Sequence, residues 1–160
     1  MIDKNEAIIK YLLTCPYLAP YKSYFNFGNA DNNNKQFVMR ATDKSTNRHY
    51  IDGSVLKIYT FDIVDFKSIG YNAIIKQEGY PDENVTDIDE VQQILDWIDE
   101  QEDLHNYPDF GSTCEIQSIR ATSNEPNLNN IDTSVTPALA VYKVTVNIEY
   151  LDTSKCLWNN

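Results

Sequence analysis

Glycine, cysteine and histidine, on which many cofactor and catalytic motifs depend, are scarce in this sequence. Its five glycines, at positions 28, 53, 70, 79 and 111, are too far apart for a phosphate-binding loop or a dinucleotide-binding fingerprint. The three cysteines and two histidines do not reach the short spacings of zinc ligands. The acidic stretch 82–90 lacks the spacing and central glycine of a calcium loop. We therefore expect no cofactor and no metal site.

Long apolar runs are also missing. No run of 18 apolar residues occurs, so the sequence predicts no membrane-spanning helix. The first six residues include Asp3 and Glu6 and lack the apolar region of a secretory signal. We therefore expect a protein of the reducing cytoplasm, in which Cys15, Cys114 and Cys156 are free thiols.

Signatures of nucleophilic catalysis are absent from the sequence. There is no G-x-S-x-G elbow, and Cys114 falls in a predicted strand, where a buried and inert thiol is the common case. Pairs of catalytic carboxylates form in space, so their spacing along the chain does not test for them. With no cofactor loop and no paired histidines, we predict that the protein is not an enzyme.

Basic residues are missing from one long stretch, between Lys76 and Arg120. Residues 77–119 carry 13 carboxylates and no Lys or Arg, whereas the rest of the chain carries 11 carboxylates and all 13 basic residues. The chain thus has one strongly negative region, and the rest of it is nearly neutral. Phosphate contacts need positive charge, so we expect this region to repel DNA or to bind a basic protein surface, without sequence-specific nucleic-acid binding.

Two helices are predicted from apolar periodicity. The first starts after an Asp3–Glu6 capping pair and ends near Cys15, because Pro16 cannot continue it. The second runs from about Thr86 to Leu104. Its apolar residues recur at three- and four-residue spacing, at Ile88, Val91, Ile94, Leu95 and Ile98.

The second helix is predicted to begin at an Asp87–Glu90 capping pair and to carry an acidic face. The members of this face are Asp89, Glu90, Asp96, Asp99, Glu100 and Asp103. Such a face is most often ordinary solvated surface, and the functional alternative is a docking or DNA-repelling surface. Trp97 lies beside the apolar stripe and is predicted at the edge of the core.

The strands follow a less regular pattern. Tyr24–Phe27 and Phe37–Thr42 are predicted to form a hairpin. Ser54–Phe66 is predicted to be a long strand partly buried on both faces, with a possible bulge. Thr113–Thr122 is the next strand. Leu139–Leu151 alternates strictly, with residues 142, 144, 146, 148 and 150 on a buried face.

The connections are polar. Gly28–Lys35 and Ser123–Pro137 are predicted to be exposed loops, either ordinary ones or contact arms that order on assembly. Residues 152–160 are predicted to be a mobile C-terminal tail, in which Trp158 is either an anchor for a partner or simply exposed.

The order of elements is helix, strands, helix, strands, which predicts an α+β fold. We expect an antiparallel or mixed sheet with two helices packed on one face, forming a single domain over residues 1–151.

Three stretches resemble a known family. They are Ser54–Ile69, Val91–Cys114 (VQQILDWIDEQEDLHNYPDFGSTC) and Asn127–Trp158 (NLNNIDTSVTPALAVYKVTVNIEYLDTSKCLW). These stretches resemble minor structural proteins of phages and phage-tail-like particles of Gram-positive bacteria, and the overall pattern is similar to the tail terminator, or tail-completion, family. The resemblance covers most of the chain but includes no short site motif, so no functional residue can be assigned from it.

The resemblance implies a structural virion protein. Tail terminators form a ring of six subunits on the head-proximal end of the tail tube, stop its polymerisation and provide the head-joining surface. The implied partners are the tube protein, sheath and head–tail connector proteins, all assembled in the host cytoplasm. Two alternatives remain: another neck or connector subunit, and an acidic adaptor that mimics DNA.

Overall fold

The computed structural model describes residues 3–18, 23–25, 36–42, 47–68, 83–123, 127–132 and 139–157. The predictions for Gly28–Lys35 and Trp158 lie outside these residues. Within them the chain forms two helices and seven strands. In chain order these are α1 (Lys4–Leu12), β1 (Ser23–Phe25), β2 (Gln36–Thr42), β3 (Arg48–His49), β4 (Val55–Ser68), α2 (Glu83–Asp103), β5 (Cys114–Ala121), β6 (Asn127–Asp132) and β7 (Leu139–Asp152).

Two long antiparallel strands, β4 and β7, form the centre of the sheet. They pair without interruption over 14 residues, from Val55 opposite Asp152 to Ser68 opposite Leu139. The bulge anticipated in β4 is therefore absent from this pairing. Register shifts occur instead in the two strands that pair with the other edge of β7, β5 and β6.

The strand order is β1-β2-β4-β7-β5, with β3 also paired to β4 and β6 also paired to β7. The pairing of β1 with β2 is parallel, with Ser23 opposite Phe37, while the other described pairings are antiparallel. The sheet is thus mixed. The predicted hairpin of Tyr24–Phe27 with Phe37–Thr42 is wrong, because a hairpin requires antiparallel strands.

Both helices pack against one face of the sheet, which confirms the α+β prediction. The face is formed by the buried β7 residues that alternation predicted, Tyr142, Val144, Val146, Ile148 and Tyr150, together with Tyr59, Phe61 and Ile63 of β4. From α1, Asn5 accepts a hydrogen bond from the Tyr59 hydroxyl. From α2, Val91, Ile94 and Ile98 belong to the same buried cluster as the sheet residues. Trp97 of α2 also contacts Tyr11 of α1, with ring centroids 5.2 Å apart and the rings tilted by 45°.

The helix boundaries agree in part with the sequence prediction. Asp3 caps α1 as predicted, since its carboxylate accepts the Asn5 N–H at 2.9 Å. In contrast, α2 begins at Glu83, one turn before the predicted Asp87–Glu90 capping pair, which is wrong as a start. An N-cap has a non-helical backbone, so Asp87 cannot cap a helix that already includes the preceding turn.

Two predicted connections are also corrected. Ser123–Pro137 is not entirely loop, because β6 lies within it and pairs with residues 139–143. The predicted boundary between the domain and its C-terminal tail, at residue 151, falls inside β7. Beyond β7, residues 153–157 are held by backbone hydrogen bonds to other segments. Thr153 donates its N–H to the Thr113 carbonyl at 2.8 Å, and Leu157 donates to the Asp52 carbonyl at 2.8 Å. The sequence predicted an exposed loop and a mobile tail here, because local composition does not report backbone pairing with other segments.

Candidate functional site: the acidic face of helix α2

The orientation of α2 is set by its apolar side. Val91, Ile94, Leu95 and Ile98 are almost completely buried and belong to the main hydrophobic cluster. Each such side chain contributes about 1.5–3 kcal/mol when it is removed from water. Four of them on one stripe prevent the helix from rotating about its axis, so the opposite side is held towards solvent.

The predicted acidic face is on that opposite side. Five of its six members, Asp89, Asp96, Asp99, Glu100 and Asp103, are exposed, and Glu90 is partly exposed nearer the core. Asp89, Asp96, Glu100 and Asp103 follow one another at spacings of seven, four and three residues. At about 100° per residue, these spacings place the four side chains along one line of the helix. The structure therefore brings the predicted site residues together into one negatively charged ridge, which we call the acidic ridge.

Asp96 in the acidic ridge has a polar partner on its own helix. Gln92 donates its side-chain N–H to Asp96 at 2.8 Å. The ion pairs Lys10–Glu6, Lys57–Asp152 and Lys143–Asp62 lie elsewhere in the described residues. The last turn of α2 also lacks a basic residue, so its acids face the negative end of the helix dipole. The ridge is suited to repelling anions or binding a basic surface.

A further acid of α2, Glu102, lies outside the ridge and has a different role that sequence reasoning missed. Its carboxylate accepts the backbone N–H of Ile119 at 2.8 Å and the hydroxyl of Tyr107 at 3.1 Å. Burial, and then the hydrogen bond to Glu102, raise the pKa of Tyr107. The available signal was spacing, because Glu102 follows Ile98 by four residues and therefore lies on the apolar side.

This contact fixes α2 to the sheet. Ile119 lies in β5, opposite Ile148 of β7. The backbone N–H of Ile119 donates to Glu102. The Glu102 carboxylate thus occupies a backbone N–H of β5 that another chain could otherwise pair with. Beside it, Gln101 is buried and accepts a hydrogen bond from the Asn106 side chain. The inner and outer polar residues of α2 thus have separate tasks.

The described residues offer little for metal or covalent chemistry. Among them, no group of three His, Cys, Asp or Glu side chains is placed to hold a metal ion. Cys15, Cys114 and Cys156 are free thiols, as predicted; the first is buried, which raises the pKa of its thiol. The candidate anchor Trp158 lies outside the described residues, so its role stays a prediction.

In the described part of the chain, neither helix combines the length and apolar character needed to cross a membrane. Comparison of the sequence with protein-family models gives no match. Comparison with curated proteins gives no significant match either.

Proposed function

We propose that this chain is a structural virion protein that caps the head-proximal end of a phage-type tail tube. As a ring of six subunits it ends tube polymerisation and forms the surface that joins the head. It acts without a cofactor and catalyses nothing. Its partners are copies of itself, the tube protein, and sheath and head–tail connector proteins, and it is assembled in the host cytoplasm. The proposal is supported by the resemblance of three long stretches and by the agreement in element order.

The observation that carries the mechanism is the acidic ridge. We place this ridge on the wall of the channel through which DNA passes. Carboxylates on such a wall repel the phosphate backbone and prevent it from sticking. Screening limits this repulsion to roughly 8 Å at physiological salt, so the ridge has to line the path of the DNA to have an effect. Its rigid anchoring through the apolar side of α2 keeps the charges in place.

The same ridge favours one alternative function, an acidic adaptor that mimics DNA. A row of carboxylates on a helix can occupy the phosphate-binding surface of a basic protein. Such an adaptor would act as a monomer or dimer and compete with DNA for that protein. A further alternative is another neck or head–tail connector subunit. It would share the assembly role of a tail terminator, but its loss would produce a different particle defect.

Deletion of the gene separates these functions. We expect negative-stain electron microscopy of released particles to show tails of uncontrolled length. Tails of normal length with unattached heads would favour a connector. Particles of normal shape and number would refute the assembly role and favour the adaptor.

The position of the ridge is tested by complementing the deletion with charge-reversal variants. Asp96→Lys with Glu100→Lys changes the ridge, and Glu6→Lys with Glu115→Lys makes the same change in net charge at exposed residues outside it. We expect the first pair to reduce DNA delivery while tail length stays normal, and the control pair to deliver DNA normally. Equal delivery by both would exclude the ridge from the channel wall.

A further inference from the structure

A rigid turn joins β3 to β4. The N–H of Tyr50 bonds to the Ser54 carbonyl at 2.9 Å, and the N–H of Gly53 bonds to the Tyr50 carbonyl at 3.1 Å. Asp52 stabilises the same turn by accepting from the backbone and the hydroxyl of Ser54, at 2.9 and 2.6 Å. Gly53 has a φ of +88°, which glycine adopts without strain.

The segment that follows β7 packs against this turn. Leu157 donates its N–H to the Asp52 carbonyl, and the Lys155 carbonyl lies so close to Gly53 that an added Cβ would be 2.3 Å from its oxygen. The turn and the C-terminal segment are therefore joined through their backbones.

That unit exposes large apolar side chains. Ile51 is fully exposed at 102%, Leu157 is 70% exposed and Tyr50 is 42% exposed. We call these three residues the apolar tip. Tyr50 and Ile51 form one wall of an open depression of about 630 Å³, whose other lining residues include the partly buried Leu56 and Leu151. A projecting aliphatic side chain and a depression that can receive one thus occur on the same surface.

The charges around the apolar tip favour a second copy of the chain as its occupant. Arg48, which lies over the Tyr50 ring, and Lys155 are balanced by Asp52 and Glu149. A surface with both signs can pair with its own copy, because each cation can meet an anion of the partner.

The exposed Leu104 lacks this balance. It lies in the stretch that contains no Lys or Arg. Two copies meeting there would bring like charges together in a chain whose net charge is −11.

We propose that the apolar tip is a self-association surface, through which two copies pair about a twofold axis and each places Ile51 in the depression of the other. An isologous contact uses the same patch on both subunits, so it leaves the rest of the surface available to ring neighbours. The pairing goes beyond the proposed function and does not depend on it, since it can join free subunits before assembly or two assembled rings.

The test is the association of the purified full chain, measured by sedimentation velocity over a wide range of concentrations. We expect a monomer–dimer equilibrium that Ile51→Asp weakens roughly 10- to 100-fold, the usual effect of losing a central apolar anchor. Leu104→Asp is the matched control, since it adds the same charge at another exposed apolar residue, and it should leave the equilibrium unchanged. A monomer at every concentration, or equal effects of the two variants, would overturn the proposal.

A photoreactive benzoylphenylalanine at position 50 identifies the surface directly. We expect covalent dimers linked within residues 50–56 or 149–151 of the second copy. Cross-links to other regions of the partner would also overturn the proposal. Complementing the gene deletion with Ile51→Asp distinguishes the two proposals. If this variant no longer pairs in solution but still gives normal particles, the tail function does not depend on the pairing.

Discussion

Replacement of Lys57 by methionine tests the ion pair that ties β4 to β7 near the apolar tip. The ammonium of Lys57 is 2.6 Å from the Asp152 carboxylate, and their side chains are 33% and 15% exposed. Exposed pairs contribute about 0–1 kcal/mol, whereas breaking a buried pair costs about 3–5 kcal/mol. This pair is intermediate in exposure, and the remaining water contact screens it. We therefore expect Lys57→Met to lower the free energy of unfolding by about 1–3 kcal/mol at pH 7.

The pH dependence has a defined sign. Burial alone would raise the pKa of Asp152, but hydrogen bonds from Lys57 and Ser154 outweigh burial and hold it well below its usual value. The hydrogen bond to Asp152 raises the pKa of Lys57. A carboxylate with a depressed pKa contributes fully above its unfolded pKa, about 3.9, and its contribution is lost as the pH falls through the folded value. The difference between wild type and Lys57→Met should thus be full at pH 7 and shrink as the pH falls below about 4.

Urea unfolding followed by the fluorescence of the buried Trp97 measures this difference. Lys10→Met is the matched control, because it breaks the exposed Glu6–Lys10 pair, whose side chains are 62% and 72% exposed. That change should cost less than about 0.5 kcal/mol. If Lys57→Met were no more destabilising than Lys10→Met, or if its effect were the same at pH 7 and pH 3, the reasoning would be refuted.

Three further changes test the turn, the contact of α2 with the sheet, and the helix dipole. Gly53→Ala should cost at least about 2 kcal/mol in urea unfolding, since φ is positive and the new Cβ would collide with the Lys155 carbonyl; a neutral result would contradict the close approach. Glu102→Ala should cost about 1–3 kcal/mol and speed amide exchange at Ile119, while Glu102→Gln keeps an acceptor and should cost less. Asp103→Lys should stabilise the fold by about 0.3–1 kcal/mol at low salt through the helix dipole, and a gain that persists at high salt would argue against this cause.

The sequence predicted best where one periodicity governs a long element. Strict alternation identified the buried face of β7, and helical spacing placed the acidic ridge opposite the apolar stripe of α2. The cap at Asp3 was predictable because it is a local contact.

Long-range pairing was not predictable from local pattern. The parallel pairing of β1 and β2 depends on partners that no local signal specifies. β6 is rich in Asn, which favours turns, yet its backbone completes the pairing of β7. No role was assigned to Glu102 from the sequence, because its partner, the Ile119 N–H, is 17 residues away. Ile51 falls in what the sequence presents as a polar connection, and its exposure follows from the turn geometry and from the bond of Leu157 to Asp52.

The acids at the end of α2 are costly for the helix, and this cost bears on function. Carboxylates in a last turn oppose the dipole, and a helix selected for stability alone would carry Lys or Arg there. Instead, α2 has no basic residue in its last turn, and Asp99, Glu100 and Asp103 are exposed within the final five residues. Local rules are most often broken where function requires it. A DNA-repelling wall needs an uninterrupted row of one sign, and a single Lys at position 103 would stabilise the helix while interrupting that row. The proposed function therefore requires that Asp103→Lys stabilise the fold and impair DNA delivery, whereas an ordinary solvated face allows the gain in stability without the loss.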